Sequence, residues 1–288
     1  MDKDKDINLS NIFAAFRLRI GVTWILVLLE TVGLTMIPLA MGVAIDGLLG
    51  GEHQQLFWLG GLLVALTILS VLRRIYDTRV YGTIRVRLCT ILDAQQQGQD
   101  VSCKNARIDM GRELVDFMEE ELPNLITAVV QIAITLVVLA AYDYRLMLSA
   151  VAMTVAVVVT YSLFHWALFQ CHAGFNGCRE LQVSILATGR PQRLLAHLLA
   201  LRKWEVRISD REALLYGCIF LAVTAFILYN LYLSAFLDNA TAGRLFTILS
   251  YSWDYVEAVI ALPATLLFFT RIREITRRVM QPTRSTGN

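Results

Sequence analysis

Six apolar stretches, each long enough to cross a bilayer, occupy most of this chain, at 20–46, 56–81, 122–141, 146–170, 213–237 and 245–270. About 20 mostly apolar residues suffice to span a hydrocarbon core of about 30 Å. The expected fold class is therefore all-α and integral to a membrane, with six transmembrane helices. Composition supports this: 56% of residues are hydrophobic and 17% charged, too apolar a balance for an ordinary soluble domain of this length.

The basic residues are distributed unevenly around these spans. Of 26 Lys and Arg, only Arg145 and Arg244 lie in the alternate loops. By the positive-inside rule both termini and the two long loops are expected in the cytoplasm. The net charge of +2 then says nothing of nucleic acid, because the cations act as topology signals. The first apolar stretch runs well past a signal peptide's short core and has no small-residue cleavage site. Five cysteines, Cys89, Cys103, Cys171, Cys178 and Cys218, fall in cytoplasmic segments or within spans, which argues for free thiols.

The loops differ in length. Outer connections are short, at 47–55, 142–145 and 238–244, whereas the inner ones, 82–121 and 171–212, are long and read as helical. Residues 85–92 continue the second span without Gly or Pro, and Leu114, Phe117, Met118 and Leu122 recur at helical spacing. Gly98 breaks the first loop, and Gly189-Arg190-Pro191 breaks the second. Two helical hairpins are expected, turning near 96–106 and 174–190 and each projecting about 20 Å from the membrane. Residues 1–19 are expected to include a short interfacial entry helix with Leu9, Ile12, Phe13 and Phe16 on one face. Residues 20–280 form the membrane domain, and 281–288 a mobile tail. Pro38 and Pro263 are placed to kink the first and last spans.

The first span ends Ile37-Pro-Leu-Ala-Met-Gly42-Val-Ala-Ile45-Asp46, and the last is approached by Thr241-Ala-Gly-Arg-Leu-Phe-Thr-Ile-Leu and left by Arg271-Ile-Arg-Glu-Ile. With the short outer loops, long inner hairpins and entry helix, this resembles the transmembrane domain of an ATP-binding-cassette exporter over residues 10–280. The resemblance implies a homodimer in a bacterial inner membrane, with the first and last spans bordering a shared cavity for a small-molecule substrate. It also implies a nucleotide-binding ATPase. No G-x-x-x-x-G-K-[ST] occurs in the 288 residues, since Gly42-Val-Ala-Ile-Asp-Gly47 continues Leu-Leu, and no Leu-Ser-Gly-Gly signature occurs either. The chain is thus expected to be no enzyme and to carry no cofactor. ATP and Mg would sit on a separate partner subunit docked at the hairpin tips, represented by Gln97, Asp100, Lys104, Arg107, Arg179 and Glu180.

Carboxylates within spans are the sharpest chemical signal. Glu30 lies mid-way along the first span, and Asp254 and Glu257 lie mid-way along the sixth at i and i+3, on one helix face. An ionised side chain at a helix centre costs at least about 2.5–3.5 kcal/mol, which excludes lipid exposure. They could bind a cationic or amphipathic solute, with Tyr251 supplying a cation–π face. They could instead bind a proton and drive an ATP-independent transporter on the same scaffold. A structural alternative is hydrogen bonding to Thr, Tyr or Trp, or pairing with a buried Arg. The run Arg73, Arg74, Asp77 and Arg79 reads as snorkelling and inter-helix pairing. His165, Cys171, His172 and Cys178 have no zinc spacing and read as packing. A membrane scaffold or regulator that transports nothing is a third class of reading.

The orientation is directly measurable. A membrane-impermeant thiol reagent applied to intact cells should modify His53→Cys or Asn239→Cys and leave native Cys103 unlabelled; labelled Cys103 would invert the topology.

Overall fold

The computed structural model describes residues 9–94, 101–187, 189–237 and 240–280, with 9–15, 101–104, 106, 107 and 262–280 described by backbone alone. Among the described residues all regular structure is helical: α1 (Leu9–Thr35), α2 (Ile37–Leu49), α3 (Gln54–Ala94), α4 (Val101–Asp116), a π-helical turn (Phe117–Glu121), α5 (Leu122–Tyr142), α6 (Tyr144–Glu180), α7 (Gln182–Ala187), α8 (Pro191–Ala235) and α9 (Ala242–Met280). Five described stretches are long and apolar enough to cross a membrane, beginning with Phe16–Leu49. The sixth expected span lies in α9, whose side chains beyond Ala261 fall outside the described residues.

The chain forms two compact units, residues 1–138 with 238–288, and residues 139–237. In the first, α3 packs against α1, α2 and α4, and α2 lies along α9. The α1–α2 break falls at Met36, two residues before Pro38. Proline cannot donate to the carbonyl four residues back, and its ring crowds that turn. The carbonyl of Thr35, at this break, accepts a 2.7 Å hydrogen bond from Tyr251 of α9.

Lower along α2 two glycines let the backbones meet. A Cβ on Gly42 would stand 2.6 Å from the carbonyl oxygen of Gly243, and one on Gly243 would overlap the carbonyl of Gly42. Close backbone approach through small residues is a general way for helices to associate in lipid. At the same end Asp46 Oδ1 accepts from the Gly243 N–H at 2.7 Å, Asp46 Oδ2 accepts from Thr241 Oγ1 at 2.6 Å, and Thr241 Oγ1 takes the Arg244 N–H at 3.2 Å. Asp46 thus caps the N-terminus of α9, where a carboxylate also meets the positive end of the helix dipole. This is a more specific role than the water-facing position its place at the end of the first span suggests.

The long hairpin of this unit is built by α3 and α4. Val80, Tyr81, Ile84, Leu88 and Leu92 bury against Leu114 and Val115, with Phe16 of α1 inserted beside them. The guanidiniums of Arg19 and Arg87 lie 5.7 and 5.6 Å from the Phe16 ring. α1 runs unbroken from Leu9, so the entry segment is the first turns of the first membrane helix. α4 begins at Val101, and the connection, including Gly98, Gln97 and Asp100, lies outside the described residues. The π turn precedes Pro123, which has no N–H for the carbonyl of Glu119; Leu122 N–H instead reaches Phe117 O, five residues back.

The second unit is an antiparallel pair, α6 and α8. Leu146, Ala150, Met153 and Val157 face Leu215, Ile219, Val223 and Phe226 at spacings of three and four. Gly174 accommodates the Trp204 ring, which a Cβ would meet at 2.6 Å. The turn is tighter than 174–190: α6 continues helical to Glu180, and α8 starts at Pro191, in the first helical position, after Gly189 at φ +61°.

Gly42→Ala should lower the thermal unfolding midpoint in mild detergent by an amount equivalent to about 1–3 kcal/mol, because the Gly243 carbonyl as well as the Thr247 hydroxyl occupies the space. Gly60→Ala, with nothing within 4 Å, should leave stability unchanged or raise it by about 0.5–1 kcal/mol. Equal midpoints for the two variants would remove the close α2–α9 contact as a stability determinant.

Candidate translocation site

α9 presents two chemically different faces. Tyr251, Ser252, Tyr255, Val256 and Val259 are buried, and Thr247 Oγ1 reaches the carbonyls of Gly243 at 2.9 Å and Pro38 at 3.2 Å. Trp253 and Glu257 are exposed and Asp254 is half-buried. The backbone carbonyl of Asp254, not its carboxylate, accepts from Gln131 of α5 at 3.3 Å. The i, i+3 spacing therefore brings the two acids to one open face, as expected. Tyr251, one turn before Asp254, is buried with its hydroxyl committed to Thr35, which gives it a positioning role for α9.

Glu30 belongs to a different constellation. It lies on the α1–α3 seam and is buried. Oε1 accepts from Ser70 Oγ at 2.6 Å and Oε2 pairs with Arg73 Nε. Arg73 also reaches Asp77 Oδ2 at 3.5 Å, one turn further along α3. The seam is close at both ends: Gly33 receives Leu66, and Tyr76 Oη reaches the carbonyl of Arg19 at 3.4 Å. A half-buried arginine is thus the partner of Glu30, and the inter-helix pairing expected of the Arg73–Arg79 run is realised through Arg73. Removing one member of such a set leaves an uncompensated charge in an apolar seam, a far larger penalty than the net worth of the pair.

Further along α3, Arg85 Nη2 pairs with Asp116 and, at 2.9 Å, with Glu119 of the π turn. Sequence reasoning did not single out Ser70, Tyr81 and Arg85. The available signal was the spacing of Ser70, Arg73, Asp77, Tyr81 and Arg85, three or four apart along an otherwise apolar helix.

In the second unit, Ser149 Oγ donates to Asn230 Oδ1 at 2.6 Å across the hairpin. Beside it runs an open groove of about 470 Å³ edged by Ala152, Ala156, Ala222 and Ala225, with Arg145 and Tyr229 among its lining residues. Cys171 is buried, Cys178 Sγ lies 3.9 Å from His197 Nδ1, and His172 lies 3.9 Å from Glu212. Arg179 and Glu180 are exposed in the last turn of α6. Lys104 and Arg107 lie within α4, their side chains outside the described residues.

Long apolar helices, short connections and helical hairpins define an integral membrane domain. The chain belongs to a transport family: residues 9–243 match the family model described as ABC transporter transmembrane region. It is a multi-pass membrane transport subunit of that family. No curated protein matches it.

Arg73→Gln should destabilise the protein by about 3–5 kcal/mol, because Glu30 and Asp77 lose their shared counter-charge. The double variant Glu30→Gln with Arg73→Gln should recover much of that loss. Thermal unfolding in detergent reads both, and a double variant less stable than Arg73→Gln would refute the coupling.

Proposed function

We propose that this chain forms one half of an exporter-type transporter, a homodimer that carries a small cationic or amphipathic solute by alternating access. ATP would be hydrolysed on a nucleotide-binding subunit outside these 288 residues, docked on the ends of the helical hairpins. Arg179 and Glu180 are exposed candidates for that contact, and Gln97, Asp100, Lys104 and Arg107 its counterparts on the first hairpin. The setting is a bacterial inner membrane with the hairpins in the cytoplasm, supported by the placement of basic residues.

The open acidic face of α9 carries this reading. A helix clamped on one side by Gly42, Asp46 and Thr35 keeps Asp254 and Glu257 on the side that α2 does not cover. Two-fold symmetry would double those two acids to four around one axis. Charges at this depth tolerate a cavity or a counter-ion and not lipid. Trp253, exposed on the same face, offers an aromatic surface to an organic cation.

In proteoliposomes supplied with the ATPase partner, Asp254→Asn combined with Glu257→Gln should lower transport of a cationic substrate at least about tenfold, equivalent to about 1.4 kcal/mol or more of lost interaction. Expression and dimerisation, read by native mass spectrometry, should be unchanged. Wild-type transport in the double variant, or a transporting monomer, would refute the shared cavity.

A further inference from the structure

The arginines of α3 are not all used alike. Arg73 and Arg85 pair with carboxylates. Arg79 and Arg87 are exposed and, among the described residues, pair with none. Together with Gly82, Val86 and Ile91 they line an open groove of about 870 Å³. These positions recur at helical spacing, so one face of α3 forms the groove. A Cβ added at Gly82 would meet nothing within 4 Å.

A third guanidinium joins them from α1. Arg19 and Arg87 lie 5.7 and 5.6 Å from the Phe16 ring, and Phe16 is buried in one cluster with Val80 and Ile84 of α3. The first span starts near residue 20, which sets Phe16 and Arg19 at headgroup level. Side chains of a helix tilt toward its N-terminus, and α3 begins at Gln54, across the membrane from its hairpin end. Arg87 therefore leans back toward the bilayer, where its contact with Phe16 holds it. Like charges gathered at one level repel, and a facing anion offsets that repulsion.

The same face of α3 continues into the membrane as an apolar stripe. Ile75, Leu72 and Ile68 step back from Arg79 by four, three and four residues, and all three are exposed. From Ile68 to Arg79 the helix rises about 16 Å, about half of a 30 Å hydrocarbon core and hence one leaflet. Cations at one end and one leaflet of apolar surface beyond them complement a phosphate joined to an acyl chain.

We propose that this face of α3 binds an anionic glycerophospholipid from the leaflet on the hairpin side. Its phosphate sits in the groove between Arg79 and Arg87, with Arg19 alongside, and an acyl chain lies along Ile75, Leu72 and Ile68. Phe16 positions two of the three cations through cation–π contact. Basic pockets beside membrane helices on the cytoplasmic side suit such headgroups. The neighbouring acids are committed to other cations, Glu30 and Asp77 to Arg73, and Asp116 and Glu119 to Arg85. The site belongs to the α1–α3 junction and is independent of the solute carried.

Native mass spectrometry of the full chain in mild detergent, titrated with phosphatidylglycerol and separately with phosphatidylcholine, tests this. Phosphatidylglycerol should bind at least about tenfold more tightly, and Arg79→Gln combined with Arg87→Gln should abolish that preference. Arg74→Gln, an equal loss of charge on the same helix outside the groove, should preserve it. Gly82→Leu keeps every charge but fills the groove, and it should weaken phosphatidylglycerol binding without lowering the thermal unfolding midpoint. That variant decides the matter even where the double arginine variant fails to fold. Equal affinity for the two lipids, an equal effect of Arg74→Gln, or undiminished binding in Gly82→Leu would overturn the site. So would inorganic phosphate stabilising the protein as much as phosphatidylglycerol does, which would make the ligand a free anion. Loss of a dimer in Gly82→Leu with lipid binding intact would assign the face to a second copy of the chain instead.

Discussion

The first compact unit depends on the contact between α2 and α9, residues about two hundred positions apart in the chain. In a bilayer the hydrophobic effect gives little reason for one apolar helix to leave lipid for another, so association rests on close packing and hydrogen bonds. Both occur here within a few turns. Gly42 and Gly243 remove the side chains that would hold the backbones apart. Asp46 then supplies acceptors to the start of α9, and Tyr251 supplies a donor at the helix break before Pro38. Each hydrogen bond satisfies a backbone group left over by a helix end or a break. The break in the first span and the start of the last helix thus complete each other.

That contact also decides which face of α9 remains open. Because Gly243, Thr247, Tyr251 and Tyr255 lie at intervals of four, locking one of them toward α2 orients them all. Asp254 and Glu257 are then rotated away from the lock. The α1–α3 seam resolves its polar residues differently, by bringing Glu30 and Asp77 to Arg73. The two sets of membrane acids therefore differ in setting: one lies on an open helix face, the other is paired with a guanidinium.

Much of the fold was legible from the chain alone, because bilayer thickness imposes a length on every span and the helix imposes a period on every face. The two hairpins, the short connections and the break near Pro38 all follow from local signals. Their boundaries moved where a local signal competes with helix continuation. Polar residues 101–105 stay within α4, and the segment after Cys171 stays within α6 to Glu180. The π turn was not foreseen, although Pro123 marks where the normal hydrogen-bond pattern has to give way. The site was read less completely. The i, i+3 spacing of Asp254 and Glu257 predicts a shared face, but nothing in it says which way that face turns. Tyr251 stands one helical turn before Asp254, and only the α2–α9 contact commits its hydroxyl to Thr35.

Periodicity, charge placement and span length, all properties of neighbouring residues, are enough to determine an all-helical membrane protein with its acids at mid-span. The partner of each acid depends on contacts distant in sequence, and no local pattern encodes them. Glu30 finds Arg73 forty-three positions away because Gly33 lets Leu66 in and draws α1 against α3. Asp46 finds Gly243 because two glycines bring their backbones together. Only tertiary structure could decide these, since the cost of an unpaired charge or backbone group in an apolar seam depends on what the opposing helix places at the same height.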